Sequence, residues 1–115
     1  MPAPPNPDDL VQPGLTRREV QVVGPVFDFG MAMNREHGFV PATGAAEAAL
    51  AKLRKTPGSK LTRREALGLE RMLQIGLDSL TAIAEVGWQI EPAPDAPAAR
   101  AARLKIQKAA RGWTL

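Results

Sequence analysis

The spacing of apolar residues predicts that most of the chain is helical. Four segments repeat apolar side chains at about 3.6 residues per turn, over about 16–37, 44–55, 62–88 and 98–113. The first segment ends near Gly38, a residue type that commonly terminates a helix. We therefore expect an all-α fold, either a small helical bundle or a helical hairpin with a long central helix.

Prolines divide this pattern into a core and two flanking segments. Residues 1–14 hold five of the 11 prolines, and residues 91–97 hold three. Proline fixes φ and has no backbone N–H, so we expect an extended arm at 1–14 that forms neither a helix nor a ladder. We expect a semi-rigid spacer at 91–97, which leaves a helical core at 15–90 and makes the helix at 98–113 a separate element.

Within the first predicted helix, Gly24 and Pro25 lie side by side. Proline there removes the hydrogen bond to the Gln21 carbonyl and costs about 3 kcal/mol in a regular helix. We therefore expect a kink at this point or two shorter helices. Because the residues at 19–23 partly alternate between polar and apolar, a short strand there remains an alternative.

The pentapeptide LTRRE occurs twice, at 15–19 and at 61–65. Each copy places a threonine three residues before a glutamate, which is the spacing of a capping box and predicts the start of a helix. The sequences that follow, VQVVG and ALGLE, differ at once, so we favour repeated capping chemistry over an internal duplication. The pentapeptide also resembles the opening of some helix-turn-helix domains of response regulators, but five residues are too few to assign that family. A helix-turn-helix regulator is an alternative function because the cations of residues 52–71 lie around a turn between two predicted helices, where such modules contact the phosphate backbone.

The predicted helix at 62–88 has an apolar arc of about 200°, wider than one neighbouring helix covers. Glycines on this arc each cost about 1 kcal/mol relative to alanine, and close approach of another helix would offset that cost. Because the chain has only five aromatic residues to fill a core, we expect it to self-associate. The predicted oligomer interface consists of Leu69, Leu73, Gly76, Leu80, Ile83, Gly87, Ile106 and Trp113. A narrow polar strip, which includes Glu70, remains on the same helix.

Charge is distributed in blocks that the net charge of +3 conceals. Residues 52–71 carry seven cations and two acids, and residues 96–115 carry five cations and no acid, whereas the segments before and between them are net acidic. Such blocks favour binding to phosphates, to an acidic protein or to the opposite block of a neighbouring copy. The candidate binding residues are Lys52, Arg54, Lys55, Lys60, Arg63 and Arg64 in the first block and Arg100, Arg103, Lys105, Lys108 and Arg111 in the second.

Each basic block also has a purely structural interpretation. The first is then an ordinary solvated face around the turn between two helices. The second is then an amphipathic helix that leaves its cations in water and packs an apolar stripe against the rest of the chain or a neighbour. That predicted stripe consists of Ala98, Ala102, Ile106, Ala109 and Trp113.

The sequence contains no pattern typical of an enzyme. It has no cysteine and a single histidine, His37, so it lacks thiolate metal sites and a histidine cluster. Asp78 and Glu85 would lie about 10.5 Å apart along a helix, farther than the paired carboxylates of a glycosidase. No glycine-rich phosphate loop is present. We therefore expect no catalytic site, no metal, no cofactor and no small-molecule substrate.

Residues 1–14 lack the basic and apolar regions of a signal peptide. The most apolar stretch, 72–88, is interrupted by polar and charged residues and is shorter than the roughly 20 residues that a bilayer requires. We expect a cytoplasmic protein or a component of a virion-like particle, without a membrane partner.

Together these features favour a non-enzymatic helical interaction or assembly protein that self-associates and presents basic surfaces to nucleic acid or to an acidic protein. A DNA-packaging or head-assembly component of a phage-like particle has a comparable organisation. The alternatives are a purely structural oligomer subunit whose charges pair between copies, and the helix-turn-helix regulator.

Overall fold

The computed structural model describes residues 8–40, 44–88 and 94–111. Most of these residues lie in four helices, α1 (Arg17–His37), α2 (Ala45–Lys55), α3 (Arg63–Glu85) and α4 (Ala96–Ala110). Two short strands, β1 (Leu10–Val11) and β2 (Leu61–Thr62), pair in antiparallel fashion, with Leu10 opposite Thr62 and Val11 opposite Leu61. The prediction of a mainly helical protein is confirmed.

Helices α1 and α3 begin where the two LTRRE copies predict. The hydroxyl of Thr16 accepts a hydrogen bond from the Glu19 backbone N–H at 3.2 Å, and the Glu19 carboxylate accepts one from the Thr16 N–H at 2.9 Å. Thr62 and Glu65 repeat this exchange at 3.1 and 2.8 Å. Each capping box therefore satisfies two backbone donors that a helix start otherwise leaves unpaired.

Helix α1 runs without interruption through Gly24 and Pro25, so it is neither two helices nor a strand at 19–23. Pro25 is exposed, whereas Val26 and Phe27 beside it are buried. Because Gln21 is exposed as well, water can reach the carbonyl that proline leaves without a helical partner. The outward position of the proline explains why the helix tolerates it.

The expectation that residues 1–14 form no ladder is wrong for the part that the structure describes. Strand β1 lies within this segment, and the Arg63 N–H donates to the Asp9 carbonyl at 2.8 Å beside the pairing with β2. The Gln12 side-chain amide donates to the Gly58 carbonyl at 3.0 Å. The strand lies between Pro7 and Pro13, where the residues keep the N–H groups that proline lacks. The remainder of the predicted arm, residues 1–7, lies outside the described residues.

Helix α4 is part of the core, and the prediction of a separate basic helix is corrected. It packs against both α3 and α1. Its buried positions, Ala99, Ala102, Ile106 and Ala110, follow helical spacing, which agrees with the alternative of a docked amphipathic helix. The helix begins at Ala96, where the Asp95 side chain accepts a hydrogen bond from the Ala98 N–H at 3.2 Å. Residues 91–93 of the predicted spacer and 112–113 of the predicted helix lie outside the described residues.

Two glycines bring α1 and α3 into backbone contact. A Cβ atom on Gly30 would collide with the Met72 carbonyl group, and a Cβ atom on Gly76 would collide with the Val26 carbonyl oxygen. Gly30 and Gly76 lie at the same distance along the sequence from their capping threonines, Thr16 and Thr62. The contact is thus reciprocal, because each glycine faces the carbonyl group of the residue that lies one turn before the other glycine.

The similarity of the two halves extends beyond the capping boxes. Buried residues of α1 and α3 match when the LTRRE copies are superposed in sequence, as in Val20 with Ala66, Val23 with Leu69, Val26 with Met72 and Phe27 with Leu73. Buried residues of α2 and α4 also match, as in Ala46 with Ala99, Ala49 with Ala102 and Leu53 with Ile106. The fold therefore consists of two similar long–short helix pairs, a structural repeat that the divergence of VQVVG from ALGLE did not indicate.

Candidate functional site

The two basic blocks of the sequence meet at one end of the molecule. The Arg63 guanidinium donates to the Ala110 carbonyl, which places the last turn of α4 beside the first turn of α3. Lys52 bonds Glu65 at 2.8 Å and so joins the last part of α2 to the start of α3. Lys105 bonds Glu19 at 2.9 Å and joins α4 to the start of α1. We call this region, made of the first turns of α1 and α3 and the last turns of α2 and α4, the basic end.

Several of the cations predicted to bind a partner form ion pairs within the chain instead. The ion pairs are Lys52 with Glu65, Lys105 with Glu19, Arg103 with Glu70 and Arg64 with Asp8. The first three have nitrogen to oxygen distances of 2.7 to 2.9 Å, whereas the Arg64 pair is exposed and has a distance of 3.7 Å. Exposed pairs contribute little to stability. The shorter pairs and the Arg63 contact hold helices together, so these cations have a structural role.

The two capping glutamates are held in the ionised form. Partial burial raises the pKa of Glu19, but hydrogen bonds from Thr16 and Lys105, together with the Lys105 charge, outweigh this effect and leave the pKa below its ordinary value. Partial burial likewise raises the pKa of Glu65, and hydrogen bonds from Lys52 and Thr62 outweigh this effect. Each carboxylate therefore serves as both a helix cap and an ion-pair partner.

The remaining predicted cations of the basic end point to solvent. Arg54, Lys55, Lys60 and Lys108 are exposed, and none of them forms an ion pair within residues 8–40, 44–88 and 94–111. Arg111 is exposed at the end of α4, where its backbone N–H donates to Gln107. The side chains of Arg54, Lys55, Lys60 and Lys108 are placed to meet a negatively charged ligand.

The sequence prediction of the binding cations omitted two residues that lie at the basic end and included one that does not. Arg17 and Arg18 lie exposed in the first turn of α1 and belong to the basic end, although they were not among the candidates. Their equivalence to Arg63 and Arg64 in the repeated LTRRE was a signal that could have found them. Arg100 lies away from the basic end, with its guanidinium 3.5 Å from the Thr81 hydroxyl.

Half of the residues predicted to form an oligomer interface are buried within the single chain. Leu69, Leu73 and Ile106 are buried in the core that all four helices share. Gly76 is buried against α1. Leu80 and Ile83 are half-buried, Gly87 is exposed, and Trp113 lies outside the described residues. An interface between copies therefore remains a prediction for the residues near the carboxyl end of α3 and for Trp113.

An open groove lies at the opposite end of the molecule, between the carboxyl ends of α1 and α3. It has a volume of about 710 Å³ and is lined mainly by apolar side chains, Met33, Phe39, Ile75, Ala82, Ile83, Val86 and Trp88, with His37, Asp78 and Ser79 among them. Phe39, Val86 and Trp88 are 59%, 71% and 73% exposed. We call this feature the apolar groove. Sequence reasoning missed it, although two aromatic residues placed just after helix ends were an available signal.

The wall of the apolar groove at Phe39 is held by a buried side chain. Asn34 donates its amide to the Val40 carbonyl at 3.1 Å and accepts from the Val40 N–H at 3.0 Å. The His37 and Phe39 rings contact each other with centroids 5.4 Å apart. These contacts hold Phe39 and Val40 against the end of α1 and form this side of the groove.

Within the residues that the structure describes, no group of three or more potential ligands is placed to hold a metal ion. No described helix combines the length and apolarity needed to cross a membrane. No family model, curated protein or solved structure matches the chain.

Proposed function

We propose that the protein is a non-enzymatic helical interaction protein whose basic end binds the phosphate backbone of nucleic acid. The observation that carries this proposal is the convergence of cations from all four helices on one surface. Several like charges on one surface raise the local concentration of a polyanion and gain free energy from counterion release. Exposed Lys55 at the end of α2, Lys60 in the loop before β2 and Lys108 near the end of α4 supply charges that no described ion pair neutralises.

The capping boxes support binding through side chains. An open helix start offers backbone N–H groups to a phosphate. At α1 and α3, the threonine and glutamate side chains already occupy two backbone groups at each start. Phosphates would therefore be contacted by Lys and Arg side chains, and contacts to phosphate carry no sequence information.

The burial of α3 favours backbone binding over the helix-turn-helix alternative. A recognition helix needs one face exposed so that its side chains reach base edges in the major groove. In α3, Leu69, Leu73 and Leu77 pack in the core, and the helix contacts α1, α2 and α4. We therefore expect weak sequence preference and a strong dependence on salt.

The test is a titration of fluorescein-labelled duplex DNA at several salt concentrations. We expect the wild-type chain to bind at 50 mM salt and to weaken steeply as salt rises. The K55E/K60E variant should bind more than tenfold more weakly, with the slope of log affinity against log salt reduced by about 2. Both residues are exposed, so circular dichroism should show a wild-type fold.

A matched control carries the same change of charge away from the basic end. Arg71 and Arg100 are exposed on α3 and α4, and R71E/R100E should keep most of the affinity and the wild-type salt slope. An equal loss in both double variants would mean that only net charge matters. That result, or a wild-type chain that does not bind DNA at 50 mM salt, would contradict the proposal.

A further inference from the structure

The side of the apolar groove that α3 forms combines an apolar wall with negative charge. Asp78 is part of its lining, and Glu85 lies in the last turn of α3. Residues 72–88 contain no lysine or arginine. Charge complementarity therefore favours an occupant that offers a large apolar side chain next to cations.

The chain itself contains such a segment. Residues 108–115 read KAARGWTL, so that Lys108 and Arg111 precede Trp113 and Leu115. We propose that residues 112–115 of a second copy of this chain, led by Trp113, occupy the apolar groove. Pockets of about 300–1,000 Å³ enclose most of a drug-sized ligand, and the groove volume of about 710 Å³ lies in this range.

Chain length and the direction of α4 favour an occupant from another copy. The Arg63 guanidinium contacts the Ala110 carbonyl, and Ile75, the first residue of α3 in the groove lining, lies roughly 18 Å farther along α3 at 1.5 Å per residue. Helix α4 runs away from the groove, from the contact of Arg100 with Thr81 to the contact of Ala110 with Arg63. Trp113 follows Ala110 by three positions, which allows at most about 11 Å between their Cα atoms. This reach is shorter than the distance to the groove, which favours Trp113 of another copy as the occupant.

The geometry predicts a head-to-tail contact. The donor segment follows α4 at the basic end, whereas the acceptor groove lies at the opposite end. Contacts of this kind are heterologous and build rings or open chains. In each contact Lys108 and Arg111 of one copy would approach Asp78 and Glu85 of the next. The acceptor groove lies apart from the surface of the nucleic-acid proposal, whereas Lys108 belongs to both. Self-association is therefore measured without DNA, so that the failure of one proposal can be distinguished from the failure of the other.

The test is molar mass, measured in the absence of DNA by light scattering or sedimentation velocity from 5 to 100 µM, concentrations on the order of those at which weak contacts form. We expect the mass of the wild-type chain to rise with concentration above the 12.3 kDa of one copy. The donor variant Trp113→Ala and the acceptor variant Val86→Lys should each stay at the mass of one copy. Val86 is 71% exposed, so its substitution should leave the fold intact. Ala82→Lys, at another exposed position of the groove lining, serves as a second acceptor variant.

Mixing the two variants provides the sharpest test. Trp113→Ala keeps an intact groove, and Val86→Lys keeps an intact donor segment, so an equimolar mixture should form a complex of two copies and stop there. A wild-type chain that remains a single copy at 100 µM would overturn the proposal. Self-association of Trp113→Ala alone would also overturn it and would instead indicate a symmetric contact between grooves. A mixture that stays at the mass of one copy would overturn the proposal as well.

Discussion

At the scale of single residues, Gly30 and Gly76 determine how closely α1 and α3 approach. Each glycine faces a backbone carbonyl of the other helix at a distance that leaves no room for a Cβ atom. Backbone atoms cannot turn aside in the way that the end of a flexible side chain can. The cost of glycine in a helix, about 1 kcal/mol relative to alanine, is offset here by packing of the two longest helices.

Alanine at either position should destabilise the protein. For Gly30→Ala and Gly76→Ala we expect a loss of roughly 1–3 kcal/mol or more in the free energy of unfolding, because the helices have to separate. The matched control is Gly24→Ala in the same helix, where the new Cβ atom meets only the end of the Arg54 side chain. That control should be neutral or more stable by up to about 1 kcal/mol. Urea denaturation measures all three, and wild-type stability of Gly30→Ala would show that the close contact is wrong.

At the scale of helices, α4 is fastened to α3 by a buried ion pair. Glu70 Oε1 accepts from the Arg103 guanidinium at 2.7 Å, and the two side chains are only 7% and 19% exposed. Glu70 belongs to the polar strip of α3, which the sequence places opposite the apolar arc. The position is buried because α4 covers it, and Arg103 on α4 supplies the compensating charge.

Removal of Arg103 should therefore be costly. Arg103→Met leaves the Glu70 carboxyl buried without its partner, and we expect a loss of about 3–5 kcal/mol. The matched control Arg64→Met breaks the exposed pair with Asp8 and should cost about 1 kcal/mol or less. The double variant E70L/R103M should recover most of the loss, since apolar residues of similar volume replace buried ion pairs well. Thermal or urea unfolding provides the comparison, and equal effects of the two single variants would contradict this account.

At the scale of the whole molecule, two ion pairs link the four helices at the basic end. Glu19 joins α1 to α4 through Lys105, and Glu65 joins α3 to α2 through Lys52. Both carboxylates also cap helix starts. Glu19 and Glu65, which are partly buried, therefore stabilise the same end of the molecule that presents the exposed cations.

Stability should depend on pH through these two acids. Their pKa values in the folded chain are lowered, so the unfolded chain binds more protons below about pH 4.5. Their contribution to the free energy of unfolding is therefore complete at neutral pH and declines as pH falls through that range towards the folded pKa values. We expect E19Q/E65Q to be less stable than wild type at pH 7 and the difference to shrink at pH 3, as measured by urea denaturation. Glu36→Gln, an exposed substitution in α1, should show no such change, and a constant difference for the double variant would contradict the assignment.

The sequence determines by itself the features that depend on neighbouring residues. The capping boxes of Thr16 with Glu19 and of Thr62 with Glu65 lie within single turns, and Gly38 adopts the left-handed conformation with φ of 64° that its position predicts. Local hydrogen bonding and helical periodicity are sufficient for such features. The mainly helical class follows from the same local patterns.

Tertiary structure decided the features that depend on residues far apart in the chain. The pairing of β1 with β2, the burial of Glu70 and the docking of α4 all require one segment to cover another. The convergence of two basic blocks on one end, and the apolar groove at the other, follow from the directions in which the helices pack. Periodicity tells which face of a helix is apolar, but the partner that covers this face is set by packing of the whole chain.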